Sequence, residues 1–271
     1  MKIINVITII LTLTCLNIAQ VRPQPSLKEY SIKGIKKLTN HRIFKFNIGD
    51  TIGYKKLEDW PEFASAHSIL LDGDYIYVGD NAFHNIKRIN IKTGEIISNT
   101  KGIIEINDWI DETGMVNGHL FVLTGPKGFY EFNHDLSLIK KYDTPLYATS
   151  EVYLFINSTN YLEFRIYREP GIHSIKVTKD YDVKFDVTKM IIDQAIDQGL
   201  KENKFKNKGK YCRQVSENGK YYLLNEYSAY ELVNNIKYDN DILKNLDFGQ
   251  YRIVYFELTK RQMVVHVLEY E

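Results

Sequence analysis

Three times this chain places a turn pair directly ahead of a run of β-formers. Asp72-Gly73 precedes Asp74-Tyr75-Ile76-Tyr77-Val78, Asn117-Gly118 precedes His119-Leu120-Phe121-Val122-Leu123, and Asn218-Gly219 precedes Lys220-Tyr221-Tyr222-Leu223-Leu224. Asx-Gly suits a two-residue type I′ loop because both central residues need φ > 0, so each pair predicts the connection of an antiparallel hairpin.

A second hairpin follows. After Asp80 to His84 come Asn85 to Ile91, a Lys92-Thr93-Gly94 turn and Glu95-Ile96-Ile97-Ser98. The pattern returns as Gly128 to Phe132 with Ser137 to Tyr142, and as Ile172 to Val177 with Tyr181 to Phe185. Two more copies bracket the series: Arg42 to Phe46 with Ile52 to Lys56, and Tyr251 to Phe256 with Met263 to Leu268. The clean alternation predicts outer strands with one face in water. Each unit reads as an inner strand, a middle strand after the turn, and an outer hairpin, recurring about once per 40 to 45 residues. A single such sheet leaves apolar faces and edges exposed, whereas packing sheets radially buries them. The expected fold is therefore all-β, a β-propeller of about five (four to six) four-stranded blades.

Two stretches break the period. After Thr188, a fitting N-cap, Met190, Ile191, Ala195, Ile196 and Leu200 fall at helical spacing and predict a short inserted helix. The polar stretch from Ser228 to Phe248, with Asn234-Asn235 and Asp239-Asn240-Asp241, separates the middle and outer strands of the last unit. No linker divides residues 25–271, which read as one domain.

Lys2 and the apolar run Ile3 to Leu13 read as an export leader over 1–19, cleaved after Ala19; the run is too short to cross a bilayer as a helix. The expected location is secreted, periplasmic or cell-surface. Cys15 offers a second reading, lipidation, which is the expected route to a membrane. Without the leader Cys212 stands alone, so no intramolecular disulfide forms, and it reads as a half-buried strand residue rather than a nucleophile. The 35 basic and 34 acidic residues nearly cancel, which argues against nucleic acid as a partner. The lysines from Lys201 to Lys210 read as a solvated loop.

The phrase Asp72 to Asp80, with Ile86-Lys87-Arg88-Ile89-Asn90 and Lys92-Thr93-Gly94-Glu95-Ile96, resembles a blade of exported six-bladed or NHL-like propellers, although five units are visible here. Gly118 to Thr124 with Gly128-Phe129-Tyr130 is similar to a blade of propeller-type glutaminyl-peptide cyclotransferases. The Phe-Thr-Gln-Gly-Leu segment of those enzymes is missing, so their activity does not carry over.

No self-contained catalytic, metal or phosphate-binding motif occurs, and no cofactor is expected. Propeller sites draw single residues from several blades, at the end where segments entering inner strands meet the loops between middle and outer hairpins. There the chain offers Trp60 and Trp109 as aromatic platforms, with His67, Asp80, His84 and Asp111 as polar contacts. The structural alternative makes the tryptophans wedges between blades and the histidines hydrogen-bonded frame. Asp108, Asp111 and Glu112 read as solvated carboxylates rather than a calcium site, and no metal is expected. The resulting expectation is a binding or scaffold module for a small molecule, glycan, peptide or protein partner. The alternatives are a propeller enzyme of the hydrolase, lyase or cyclotransferase kind with an acidic/His site at the channel mouth, and a surface protein whose outer strands meet a partner.

Overall fold

Two of the three turn pairs close the loops expected of them. Val116 pairs with His119 across Asn117-Gly118, and Glu217 with Lys220 across Asn218-Gly219. Their φ values, 47° and 83°, then 50° and 75°, are the type I′ pattern. The first loop falls one residue later than Asp72-Gly73. Asp72 pairs with Tyr75, so the loop is Gly73-Asp74, and Gly73 alone has a positive φ, 55°, as a type II′ turn requires.

The computed structural model describes residues 34–49, 51–52, 55–56, 63–64, 66–105, 109–125, 128–143, 152–157, 161–168, 171–188, 213–225, 228–235, 237–238, 245–249, 251–259 and 261–271, with single positions 27, 32 and 242. The leader with Cys15, Trp60, the helix expected after Thr188, Lys201 to Lys210, Cys212 and Asp239-Asn240-Asp241 lie outside them.

The described chain opens with β1 (Gly34–Lys36) and β2 (Leu38–Asn47), then a two-stranded ribbon of β3 (Lys55–Lys56) and β4 (Phe63–Ala64). Blade 1 is β5 (Ala66–Asp72), β6 (Tyr75–Asp80), β7 (Asn85–Asn90) and β8 (Ile96–Asn99). Blade 2 is β9 (Trp109–Val116), β10 (His119–Gly125), β11 (Gly128–Phe132) and β12 (Leu138–Asp143). Blade 3 is β13 (Val152–Asn157), β14 (Tyr161–Arg168), β15 (Gly171–Thr178) and β16 (Val183–Thr188). Blade 4 holds β17 (Arg213–Glu217), β18 (Lys220–Asn225) and β19 (Ser228–Glu231), and blade 5 holds β20 (Leu246–Phe248), β21 (Arg252–Leu258) and β22 (Gln262–Tyr270). Each of these last two takes its fourth strand from the start of the fold. β1 lies parallel beside β19, and β2 antiparallel beside β22, from Leu38 opposite Tyr270 to Asn47 opposite Gln262.

Five four-stranded sheets thus form a β-propeller, but their allotment differs from the sequence reading in two places. Arg42 to Phe46 and Ile52 to Lys56 are not a hairpin: β2 belongs to blade 5, Ile52 only bridges Ile48, and Lys55-Lys56 pairs with Phe63-Ala64. The reason is burial. A free hairpin would leave Phe44 and Phe46 in water, whereas pairing with β22 packs them with Met263, Val265 and Val267. The last unit is two blades: the stretch from Ser228 to Phe248 holds the third strand of blade 4 and the inner strand of blade 5. With four and three residues, β19 and β20 are too short for alternation to declare them.

The inner strand β5 packs against both β9 and β20, so the first and last blades are neighbours. Leu71 N–H donates to Asp247 Oδ2 on β20 at 2.7 Å, and Arg252 Nη1 donates to Gly73 O at 2.9 Å. Among the described residues, apolar clusters join blade 5 to 1, 1 to 2, 2 to 3 and 4 to 5. Leu27 and Ile32 pack on the other face of blade 4, with Val215, Leu224 and Ala229.

The outermost strands β8 and β12 do face water, as expected, but neighbours on both sides bury the first strand of each of these outer hairpins. In β7, residues 85 to 89 are all buried. Ile89 faces blade 5 and Ile86 faces blade 2. The interleaved cations are buried with partners: Arg88 stacks 3.7 Å from the Tyr75 ring centroid, and Lys87 is ion-paired with Asp80.

Blades 1 and 2 approach so closely at Gly79 that an added Cβ would lie 2.5 Å from Ser68 Oγ and 2.8 Å from Ile110 Cγ2. Ile110 is β-branched and buried, so it cannot swing away. Gly79→Ala is expected to cost about 1–3 kcal/mol through overpacking, read as a lower urea midpoint. An unchanged midpoint would show that the two blades are not wedged together there.

Candidate functional site

The end of blade 1 where β6 passes to β7 is organised by one buried carboxylate. Asp80 closes β6, and its Oδ1 accepts the N–H groups of Ala82 at 3.1 Å and Phe83 at 3.3 Å. This is the local capping for which Asp is favoured in turns. Its Oδ2 accepts Lys87 Nζ at 2.6 Å, and the same ammonium donates to Asn85 Oδ1 at 2.8 Å. Burial holds the Lys87 ammonium below its ordinary range while Asp80 pulls the other way. The ammonium also sits 5.0 Å from the Phe83 ring centroid, so the turn is supported from beneath. His84 completes it in the left-handed region, φ 49°.

Asn81 carries the turn across to blade 2. Its Oδ1 accepts the Ile110 N–H at 2.7 Å, and its Nδ2 donates to the Ile110 carbonyl at 3.2 Å. The side chain thus satisfies the backbone of Ile110 on the edge of β9 that β10 does not cover. Trp109 and Asp111, the chain neighbours of Ile110, are thereby placed at the same end of blades 1 and 2 as residues 81–84. His67 lies at the same end: its neighbour Ala66 is paired with Asp80, and the register shift between Ala66 and Ser68 leaves His67 exposed.

The structure therefore brings His67, Asp80, His84, Trp109 and Asp111 to one end of blades 1 and 2, while Trp60 lies outside the described residues. Their surroundings differ. Asp80 is fully buried and acts as frame. Trp109 is 37% exposed and Phe83 41%, so both meet solvent at this end of their blades, where His84 and Asp111 are half-buried. The sequence places Asn81 and Phe83 in the mouth segment Asp80 to His84 but does not single them out, and it gives Lys87 no role there. A lysine at a strand position whose neighbours are buried on both faces is the signal that could have drawn attention to Asp80 as its partner.

A His–carboxylate pair does form, at the opposite end of blade 2. His119 Nδ1 and Glu131 Oε1 are 2.7 Å apart, and the Tyr142 hydroxyl donates to Glu131 Oε2 at 2.6 Å. Burial and the Glu131 carboxylate push the Tyr142 phenol well above its ordinary value. The His119 ring stacks on Tyr181 of blade 3 at 4.0 Å, so the group fastens two blades. Among the described residues no three His, Cys, Asp or Glu side chains gather as a metal would require.

Five blades with loops from neighbouring sheets converging at one end define a propeller with a candidate ligand surface. No protein-family model matches the chain, and no curated protein matches it. Among solved structures, the computationally designed Ika4 protein aligns over 49% of this chain and 95% of its own at 10% identity, TM-score 0.34. A europium-containing methanol dehydrogenase aligns over 55% of this chain and 27% of its own at 9% identity, TM-score 0.38. Raptor of Chaetomium thermophilum aligns over 77% of this chain and 16% of its own at 7% identity, TM-score 0.34. These similarities are too low to bear on function, and the fold assignment rests on the sheets themselves.

Proposed function

We propose that this chain is an exported binding module that receives a glycan or peptide at the β6–β7 end of blades 1 and 2. The observation that carries the reading is the Asn81 clamp on Ile110, which ties the start of β9 to the 81–84 turn; the exposed Phe83 and Trp109, with His67, His84 and Asp111, belong to the same end of these adjoining blades. Flat apolar faces next to hydrogen-bonding groups suit sugar rings and peptide side chains. The sequence resemblance to exported NHL-like propellers agrees with such a role. Asp80 and Lys87 serve the site by holding the turn.

The test is a thermal-shift screen of the protein against glycans and peptides, since a ligand of the native state raises the melting temperature by mass action. With a hit in hand, Trp109→Ala is expected to weaken binding about tenfold to a hundredfold, the loss of one aromatic anchor, while leaving the unfolding midpoint close to that of the parent. Unaltered affinity in that variant, or no shift with either ligand class, would refute the site.

A further inference from the structure

Two histidines occupy the seam that closes the ring, apart from the proposed ligand site. His41 on β2 and His266 on β22 lie diagonally across it, with His41 Nε2 and His266 Nδ1 3.0 Å apart and ring centroids at 5.2 Å. The His266 ring also stacks on Tyr255 of β21 at 4.4 Å and 3° between planes, and Tyr238 packs on Tyr255 at 5.0 Å. The buried His266 Nε2 is 3.9 Å from Glu257 Oε2, also on β21. From β2 the other cation on this face is Lys45, which is exposed. Arg42, Arg252 and Glu269 lie on the opposite face of the sheet, where Arg42 Nη2 meets Glu269 Oε1 at 2.5 Å.

The pair tolerates one extra proton but not two. The Glu257 charge favours a proton on His266 Nε2, which leaves His266 Nδ1 as acceptor and His41 Nε2–H as donor. A first added proton settles on His41 Nδ1 and keeps that bond, now charge-assisted. A second has to land on His266 Nδ1, which sets two N–H donors and two cations face to face.

We propose that the His41–His266 pair makes the β2–β22 seam an acid-responsive latch, holding the N-terminal strand to the last blade until a second proton drives the rings apart. Burial, then the His41 charge, hold His266 down at about 4, and burial lowers His41 as well. Both values lie below the ordinary histidine value of about 6.5, so the unlatched chain binds more protons. The pair's contribution is whole above about pH 6.5 and is lost as pH falls through about 4.

Amide hydrogen exchange of the full chain, corrected for intrinsic rates, tests this at about pH 7 and about pH 4. Protection of β2 amides is expected to fall about tenfold or more at the lower pH while that of β6 holds. In His266→Phe, which keeps a ring on Tyr255 and takes no proton, β2 protection should no longer differ from β6 in its pH response. Should that variant fail to fold, an NMR titration of the parent protein reads the same device, with the His266 ring titrating near 4. Equal β2 protection at both pH values, an undiminished acid response in His266→Phe, or a His266 ring titrating at the ordinary histidine value would each overturn the latch.

Discussion

Replacing Asp80 by alanine will destabilise the fold by about 3–5 kcal/mol, because it leaves the Lys87 ammonium buried without its counter-charge. Both groups are almost shut off from solvent, with side-chain exposures of 6% for Lys87 and 0% for Asp80, so water cannot screen the loss. The same change removes the acceptor for the Ala82 and Phe83 amides and frees the 81–84 turn. Urea denaturation followed by far-UV circular dichroism checks this through a lowered midpoint at unchanged slope. The control is Asp80→Leu combined with Lys87→Met, which replaces the ion pair by apolar volume and should recover most of the loss. A single variant within about 0.5 kcal/mol of the parent would mean that Lys87 finds water or another partner, and the turn would lose its stated support.

Deleting residues 1–47 is expected to abolish cooperative unfolding. The cut removes β1 and β2, leaving the outer edges of blades 4 and 5 unpaired and uncovering Met263, Val265 and Val267. An apolar open strand is an aggregation template, so the shortened chain should associate or remain partly folded. A synthetic peptide of residues 34–49 added in trans should restore a sharp transition by strand addition. Had Arg42 to Phe46 formed its own hairpin, as the sequence suggested, the deletion would leave the strand pairing of β22 untouched. A sharp transition in the shortened chain at the parent's midpoint would therefore contradict the pairing of β2 with β22.

The blades most legible in the sequence were those whose four strands are consecutive and long. Blades 1 and 2 follow the written pattern of turn pair, alternating strand and second hairpin, because each hydrogen-bonded neighbour is also a neighbour in sequence. Blade 5 was half legible: Tyr251 to Phe256 and Met263 to Leu268 were recognised, but Leu246-Asp247-Phe248 was hidden in a polar stretch and β2 was assigned to a different unit. The pairing of Arg42 with Val267 spans nearly the whole chain, and no local pattern encodes a partner that distant. The site divides the same way. That His67, Asp80, His84, Trp109 and Asp111 lie at one end of blades 1 and 2 was legible because topology says where strand ends gather. The pairing of Asp80 with Lys87 was not legible, because nothing local tells that Lys87, a lysine in the alternation of β7, is buried.

What the amino-acid order determined by itself is local. Asn117-Gly118 and Asn218-Gly219 dictate tight loops through positive φ, and the β-branched and aromatic runs beside them dictate strands. The need of each sheet to cover two apolar faces then dictates a multi-bladed assembly. Only the tertiary structure decided that the N-terminal strands complete the last two blades, that the polar residues of β7 face neighbours instead of water, and that two histidines meet across the seam. The physical reason is that loops and alternation depend on residues adjacent in the chain. Closure of the ring depends on which distant edge buries the most apolar surface while pairing its backbone.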